Sequence, residues 1–399
     1  MKQNRNPLIY RLLFYAIFAG DALFSPFYAL YFVSAGMNDW QQSILLASVP
    51  FSLFFGDFIF SFFATSFKKD VWLFRSAAVI EVILFVVFGF AKTFPFLLAM
   101  TILTSFFNSA LFQVMDGTAA IAAKASGKRY QSIRVYGSIA YAGSLLLGYF
   151  IVGRIDYSWL FDIASLFFII GLAVSFLITP VEEAIPPHEI DENGNHVEVP
   201  LIKNKRFMMY LVFNALFFGA SNTLGSILTL YLKGLGLADN EYSFWYGARV
   251  VFEIISMILL PSMMKVLKKD KNGLIVGTSL LLVSNVLSML ITDKFGLVAS
   301  VFLIRGFANA FVIVRNVTYL QHVVGDKKVA RALTLCAGFA NAVNGIGNLF
   351  SSAIYQAWSF QGLFLILFIV QVIAFVLLIM IKDEKPKMVI APSVESAGK

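Results

Sequence analysis

The chain is divided almost end to end into apolar stretches long enough to cross a lipid bilayer, and that division leaves few folds open to it. Twelve such stretches can be drawn, over roughly 9–33, 42–65, 71–91, 96–122, 129–153, 158–179, 207–232, 242–264, 273–292, 295–322, 329–356 and 359–381. A helix needs about 20 apolar residues to span a hydrocarbon layer about 30 Å thick, and the longer stretches can span it with a tilt. Only 14% of the residues are charged and 59% are hydrophobic, where a soluble domain carries about a quarter charged residues. The first stretch is too long for the core of a signal peptide and lacks a cleavage-type site, so it counts as a span. The expected fold class is therefore an all-α membrane protein of twelve transmembrane helices.

Basic residues set the orientation. Loops on alternate sides, together with both termini, hold 22 of the 31 Lys and Arg, among them Lys68-Lys69, Lys124 to Arg129, Lys203 to Arg206, Lys265 to Lys271 and Lys327 to Arg331. The opposite loops hold four (Lys92, Arg154, Lys233 and Lys294), and five lie within spans. This bias puts both termini in the cytoplasm and indicates a multi-pass protein of the plasma membrane. The net charge of +8 is spread over these loops, which argues against a nucleic-acid partner. The single cysteine, Cys336, allows no disulfide framework and no redox or zinc spacing. No nucleotide loop, metal cluster or nucleophile triad is present. No enzyme activity, metal or cofactor is therefore expected, and the chain is read as a monomer in the bilayer.

One polar stretch divides the chain. Residues 180–206 carry Pro180, Pro186, Pro187 and Pro200, an acidic run from Glu182 to Glu198, and a basic exit. This gives an N-terminal six-helix bundle over 1–179, a cytoplasmic central linker over 180–206, a C-terminal six-helix bundle over 207–381 and a cytoplasmic tail over 382–399. Each half has a basic loop between its second and third helices and another between its fourth and fifth, and Gly127 to Arg134 resembles Gly325 to Arg331. Two pseudo-symmetric bundles rocking about a central site have this pattern.

Charge inside the spans is scarce, so each instance points to function. Asp116 and Arg134 lie nine residues either side of Ala125, in the possible turn Ala125-Ser126-Gly127. At 1.5 Å per residue both are expected about 13 Å up neighbouring antiparallel helices, where opposite charges at equal depth can pair. Asp21 stands beside Pro26 in the first span, with no partner nearby in sequence, and is a candidate for substrate or proton handling. Arg75 and Glu81, six apart and so on different helix faces, read as packing charges, and Asp57 as similar. In the second half Arg249 and Glu253 are neighbours at i, i+4. Glu253 and Arg305 match in depth and are expected to pair across helices. Arg305, Asn309 and Asn316 share one stripe, while Asn341, Asn344 and Asn348 read as helix-packing groups.

At Asp116 to Tyr141 the sequence resembles the lactose permease branch of the major facilitator superfamily. The fourth-helix acid, the eighteen-residue interval and the run Arg134-Val135-Tyr136-Gly137-Ser138-Ile139-Ala140-Tyr141 follow that branch without a gap. Phe24-Ser25-Pro26-Phe27-Tyr28 is similar to its first-helix motif, Glu253 to its eighth-helix glutamate, and Phe360-Gln361-Gly362 to the start of its last helix. The resemblance implies that Asp116 and Arg134 hold solute hydroxyls, with Ser138 beside them and Tyr141 in the place of a ring-stacking tryptophan. Two departures matter. Phe60 and Ala64 replace the Gly and Asp of the superfamily's loop motif. Helices seven and ten offer Asn222, Gly225, Arg305 and Ala308 where the branch has its proton-coupling groups.

The resulting expectation is a secondary active transporter importing a sugar or similar hydroxylated solute with protons, by alternating access. Its substrate-binding candidates are Asp116, Arg134, Ser138, Tyr141, Asp21 and Asn309. Its proton-coupling candidates are Glu253, Asp21, Arg305 and Arg249. Nucleoside and phenylpropionate permeases share the fifth-helix motif, so nucleosides and aromatic acids are alternative solutes. A drug-type exporter and a membrane enzyme or sensor are weaker alternatives, because the fifth helix lacks proline and only 180–206 could hold a soluble site.

Overall fold

The computed structural model describes residues 6–63, 66–181, 200–324 and 326–382. Residues 182–199 of the expected central linker, residues 383–399 of the expected tail, and Gly325 lie outside the described residues.

Every named element is helical. In chain order these are α1 (Asn6–Asp21), a short 3-10 turn (Ser25–Phe27), α2 (Tyr28–Ser34), α3 (Asp39–Phe63), α4 (Phe67–Phe88), α5 (Phe94–Ala125), α6 (Gln131–Ile151) and α7 (Tyr157–Ser175). After a second 3-10 turn (Leu201–Lys203) come α8 (Lys205–Gly234), α9 (Asp239–Leu267), α10 (Asp270–Leu290), α11 (Lys294–Val324) and α12 (Asp326–Met380). Ten helices among the described residues are long and apolar enough to cross a membrane, α1 and α2 counting as one. The ten include neither α6 nor the first part of α12. α6 carries Arg134, and α12 carries Asn341, Asn344 and Asn348.

Two breaks in the helices follow from the sequence. α1 ends at Asp21 and the chain re-forms helix only after Ser25–Phe27, because Pro26 offers no amide hydrogen to the preceding turn. α12 changes course at Ser359, whose φ of 66° and ψ of 175° are not helical. That break separates the two spans drawn from the sequence as 329–356 and 359–381.

Helices α1 to α7 pack on one another, as do α8 to α12, and the two halves meet where α3 lies against α12 and α6 against α9. Small residues allow the second of these approaches: a Cβ on Gly148 would strike the Ser243 hydroxyl, and one on Gly247 would press on Leu146. The halves also share a turn. At the end of α2 the Ala35, Gly36 and Met37 amides donate to Tyr31, Val33 and Phe32 carbonyls, and at the end of α8 those of Leu235, Gly236 and Leu237 donate to Tyr231, Lys233 and Leu232. Gly36 and Gly236 take φ of 77° and 81°, the left-handed cap that favours glycine. The two turns fall at an offset of 200 residues, as do Lys68-Lys69-Asp70 and Lys268-Lys269-Asp270 at the starts of α4 and α10.

Candidate functional site

A cavity of about 680 Å³ lies between the two halves, within the size range of small-molecule sites. Its first-half wall is built from the broken first span (Ser25, Pro26, Tyr28), from Gln113, Asp116, Gly117 and Ala120 on α5, and from Tyr130 and Arg134. The α5 residues recur at i, i+3, i+4 and i+7, which is one helix face. The second-half wall includes Ser221 and Asn222 on α8, Tyr242, Tyr246 and Arg249 on α9, Phe302, Arg305, Asn309 and Asn316 on α11, and Asn341, Asn344 and Asn348 on α12.

Asp116 and Arg134 meet, with Arg134 Nε 3.6 Å from Asp116 Oδ1. The route differs from the expected hairpin. α5 ends at Ala125 but α6 starts only at Gln131, so Arg134 stands on the first turn of its helix, not nine residues along it. Its long side chain closes the difference in height. Tyr130, just before α6, adds a hydroxyl that donates to Asp116 Oδ1 at 2.6 Å. The guanidinium lies over the Phe18 ring at 4.1 Å, and its Nη1 has no hydrogen-bond partner. Gly137 makes this packing possible, since a Cβ there would come within 2.9 Å of both Arg134 Nη1 and Phe18.

Four further candidates behave differently from one another. Ser138 does not line the cavity; it is buried and donates to Glu253 Oε1 at 3.0 Å, joining the two halves. Glu253 and Arg305 do not form the expected pair. Arg305 instead turns to α8, where its Nη2 donates to the Ser221 hydroxyl at 2.9 Å and to the Ser221 carbonyl at 3.3 Å. Equal depth does not fix rotation about a helix axis, and each side chain points to a different neighbour. Arg249 lies over the Tyr246 ring at 4.9 Å and makes no ion pair with Glu253.

Tyr141 sits behind the cavity wall, its ring centroid 6.2 Å from Tyr246 and its hydroxyl 3.5 Å from the Ser25 hydroxyl. Asp21 also stands behind the wall, accepting from Ser25 Oγ at 3.5 Å. Asn309 faces the cavity, as do Arg305 and Asn316 on the same stripe. Asn341, Asn344 and Asn348 combine packing with cavity exposure. Asn341 donates to Asp57 Oδ2 at 3.3 Å and Asn348 to the Leu46 carbonyl at 3.3 Å, both across the halves. Arg75 does pack between helices, donating to the Ser175 carbonyl at 2.7 Å.

Sequence reasoning missed Tyr130, Ser221 and the aromatic cluster of Tyr242, Tyr246 and Phe302, whose centroids lie 5.7 to 6.1 Å apart. A signal for part of it was present: Tyr242, Tyr246, Arg249 and Glu253 recur at i, i+4, i+7 and i+11 on α9.

The cavity is closed at one end. Around the first turns of α7 and α9, the Tyr157 hydroxyl donates to Asp239 Oδ2 at 2.6 Å and Lys233 Nζ lies 3.1 Å from Asp239 Oδ1. One turn further, Ser243 Oγ donates to the Leu145 carbonyl at 2.7 Å. Towards the other end, which carries the basic turns, the lining continues through Tyr130, Arg134, Asn316, Val317 and Leu333.

A model of the MFS_1 like family matches residues 8–366. Two solved structures of the nucleoside transporter NupG are similar in fold. A point variant of it gives a TM-score of 0.71 at 14% identity, covering 94% of this chain and 100% of that one. The other gives 0.69 at 13% identity, covering 96% and 100%. No curated protein sequence matches the chain.

Proposed function

The chain belongs to the MFS_1-like family of multi-pass membrane transporters, and from that premise we propose that it imports a small hydroxylated, ring-bearing solute by proton-coupled alternating access. On this reading the chain makes twelve crossings with both termini in the cytoplasm of a plasma-membrane monomer. The bundles are 1–179 and 207–381, joined by the linker 180–206 and followed by the tail 382–399. The closed end of the cavity then faces outward, and the described conformation is the inward-facing one.

The observation that carries the proposal is the Asp116–Arg134 pair in the wall of the cavity. A carboxylate beside a guanidinium offers an acceptor and several donors to vicinal hydroxyls while each charge compensates the other. Tyr242, Tyr246 and Phe302 on the facing wall give an apolar ring a surface to stack on. That second feature favours a nucleoside over a simple sugar, because a nucleoside has both a diol and a flat ring. The fold likeness to a nucleoside transporter points the same way. Ser138 supports the bridge between the halves, and Tyr141, Asp21 and Asn309 stand in or just behind the wall. Glu253 and Asp21 are the acids placed to couple the movement to protons, with Arg305 and Arg249 beside the path.

A thermal-shift screen of the purified protein against sugars, nucleosides and aromatic acids tests the solute class. A specific binder stabilises the folded form by mass action, by about 2.7 kcal/mol at a hundredfold excess over Kd. Nucleosides are expected to raise the melting temperature, and the rise should vanish in Asp116→Asn. A shift with aromatic acids alone would overturn the hydroxyl-binding assignment.

A further inference from the structure

Glu81 is the most deeply placed acid of the first half, and nothing in the transport reading uses it. It lies on α4 with 0% exposure. Neither of its oxygens has a hydrogen-bond partner, and among the described residues no Lys, Arg or His stands within ion-pair distance. Arg75, six residues back on the same helix, is occupied with the Ser175 carbonyl on α7. The groups around Glu81 are polar and include no cation. α5 presents Ser105 and Asn108 on one face, the Ser105 hydroxyl and the Asn108 amide nitrogen both buried without a partner, and that nitrogen is a donor on the side of the Glu81 carboxylate. Asn108 and Asp21 interact with Glu81, and Tyr28 interacts with Glu81, Ser105 and Asp21. Asp21 from α1 and Tyr28 from α2 are thus the ionisable groups that face it, and neither is a cation.

A bare carboxylate in a dry site costs several kcal/mol, and the cost disappears once a proton or a cation sits on it. The site is also linked to the cavity. Tyr28 and Ser25 belong to the cavity wall. The Tyr28 hydroxyl lies 3.4 Å from Thr104 Oγ1, and Ser25 holds Asp21.

We propose that Glu81, with Asn108, Ser105 and Asp21 around it, is a binding site for a coupling monovalent cation, either H⁺ or Na⁺, inside the first half. This rests on the secondary-transporter reading and deepens it. It places the cation in the first half, behind the same cavity wall that carries Asp116.

The test uses the full-length protein in detergent and in proteoliposomes. In choline buffer the wild-type melting temperature should fall as pH rises, because the vacated carboxylate is left bare. In Glu81→Gln that part of the fall should be absent. If added NaCl restores the wild-type melting temperature at high pH and choline chloride does not, the cation is Na⁺; if neither does, it is H⁺. In proteoliposomes Glu81→Gln should keep counterflow exchange of a solute found in the screen and lose accumulation against a gradient. Equal pH and NaCl responses in wild type and Glu81→Gln would overturn the site. Loss of counterflow in the wild type itself would instead overturn the transport reading. If Glu81→Gln fails to fold, Ser105→Ala decides the matter: the midpoint of the pH or NaCl response should shift, and an unmoved midpoint refutes the site.

Discussion

The two walls of the cavity handle buried charge in opposite ways. On the first-half wall, Asp116 accepts from Tyr130 and lies against Arg134, so acid and base are compensated before any solute arrives. On the second-half wall, Arg249 and Arg305 meet no carboxylate within ion-pair distance among the described residues. A tyrosine ring and the oxygens of Ser221 take that place. Neutral oxygens and ring faces leave guanidinium donors to spare, since each guanidinium carries five. A polyol lying between the walls can therefore donate to Asp116 and accept from the arginines.

Removing one partner from each wall should give unequal losses. Arg134→Ala strands a carboxylate in a largely buried place, and breaking such a pair should destabilise the fold by about 3 kcal/mol. Arg305→Ala strands no charge and loses its hydrogen bonds to Ser221, which should destabilise the fold by about 1.5 kcal/mol. Counterflow in proteoliposomes at several solute concentrations, read beside the thermal unfolding of each variant, checks both. Equal losses would erase the distinction between the walls.

The bond from Ser138 to Glu253 joins the halves away from the cavity lining, so its removal should act on the equilibrium between conformations more than on solute affinity. Ser138→Ala should change the exchange rate about fivefold, from about 1 kcal/mol of lost hydrogen bond, with Kd nearly unchanged. Glu253→Gln keeps an acceptor for Ser138 but removes the carboxylate. It should abolish accumulation while permitting exchange; loss of both would make Glu253 purely structural.

Hydropathy made the helices legible because a bilayer prescribes their length; the break at Pro26 falls inside one long drawn segment and the break at Ser359 at the start of the last. The Asp116–Arg134 contact was legible because few other charges compete for either residue. Its height was not, since residues 126–130 form a turn and loop between α5 and α6, so that Arg134 falls on the first turn of α6 and not nine residues along a helix. Glu253 and Arg305 were misjudged for a related reason: sequence gives depth along a helix but not the rotation that faces one towards α6 and the other towards α8. The repeat was fully written in the chain. Tyr31, Gly36 and Asp39 recur as Tyr231, Gly236 and Asp239, and Gly36 and Gly236 take the same left-handed turn.

That repeat also shows where the halves diverge at the closed end, and it yields the smallest predicted effect. Asp239 starts α9 but is committed to Tyr157 and Lys233. Its neighbour across the gap, Asp156, caps α7, accepting from the Ser158 amide and hydroxyl at 2.9 Å each. Those two bonds, led by the backbone one, hold the Asp156 carboxyl below the usual carboxylate range. Asp156→Ala should cost about 1 kcal/mol, the usual worth of such a cap. Because the folded-state value is depressed, this contribution is present above the ordinary carboxylate range and is lost as pH falls through the lowered value. Melting curves of wild type and variant should therefore differ at neutral pH and converge in acid, with uptake unchanged. A change in uptake would mean that the start of α7 works with Tyr157 and Asp239 in holding the cavity shut.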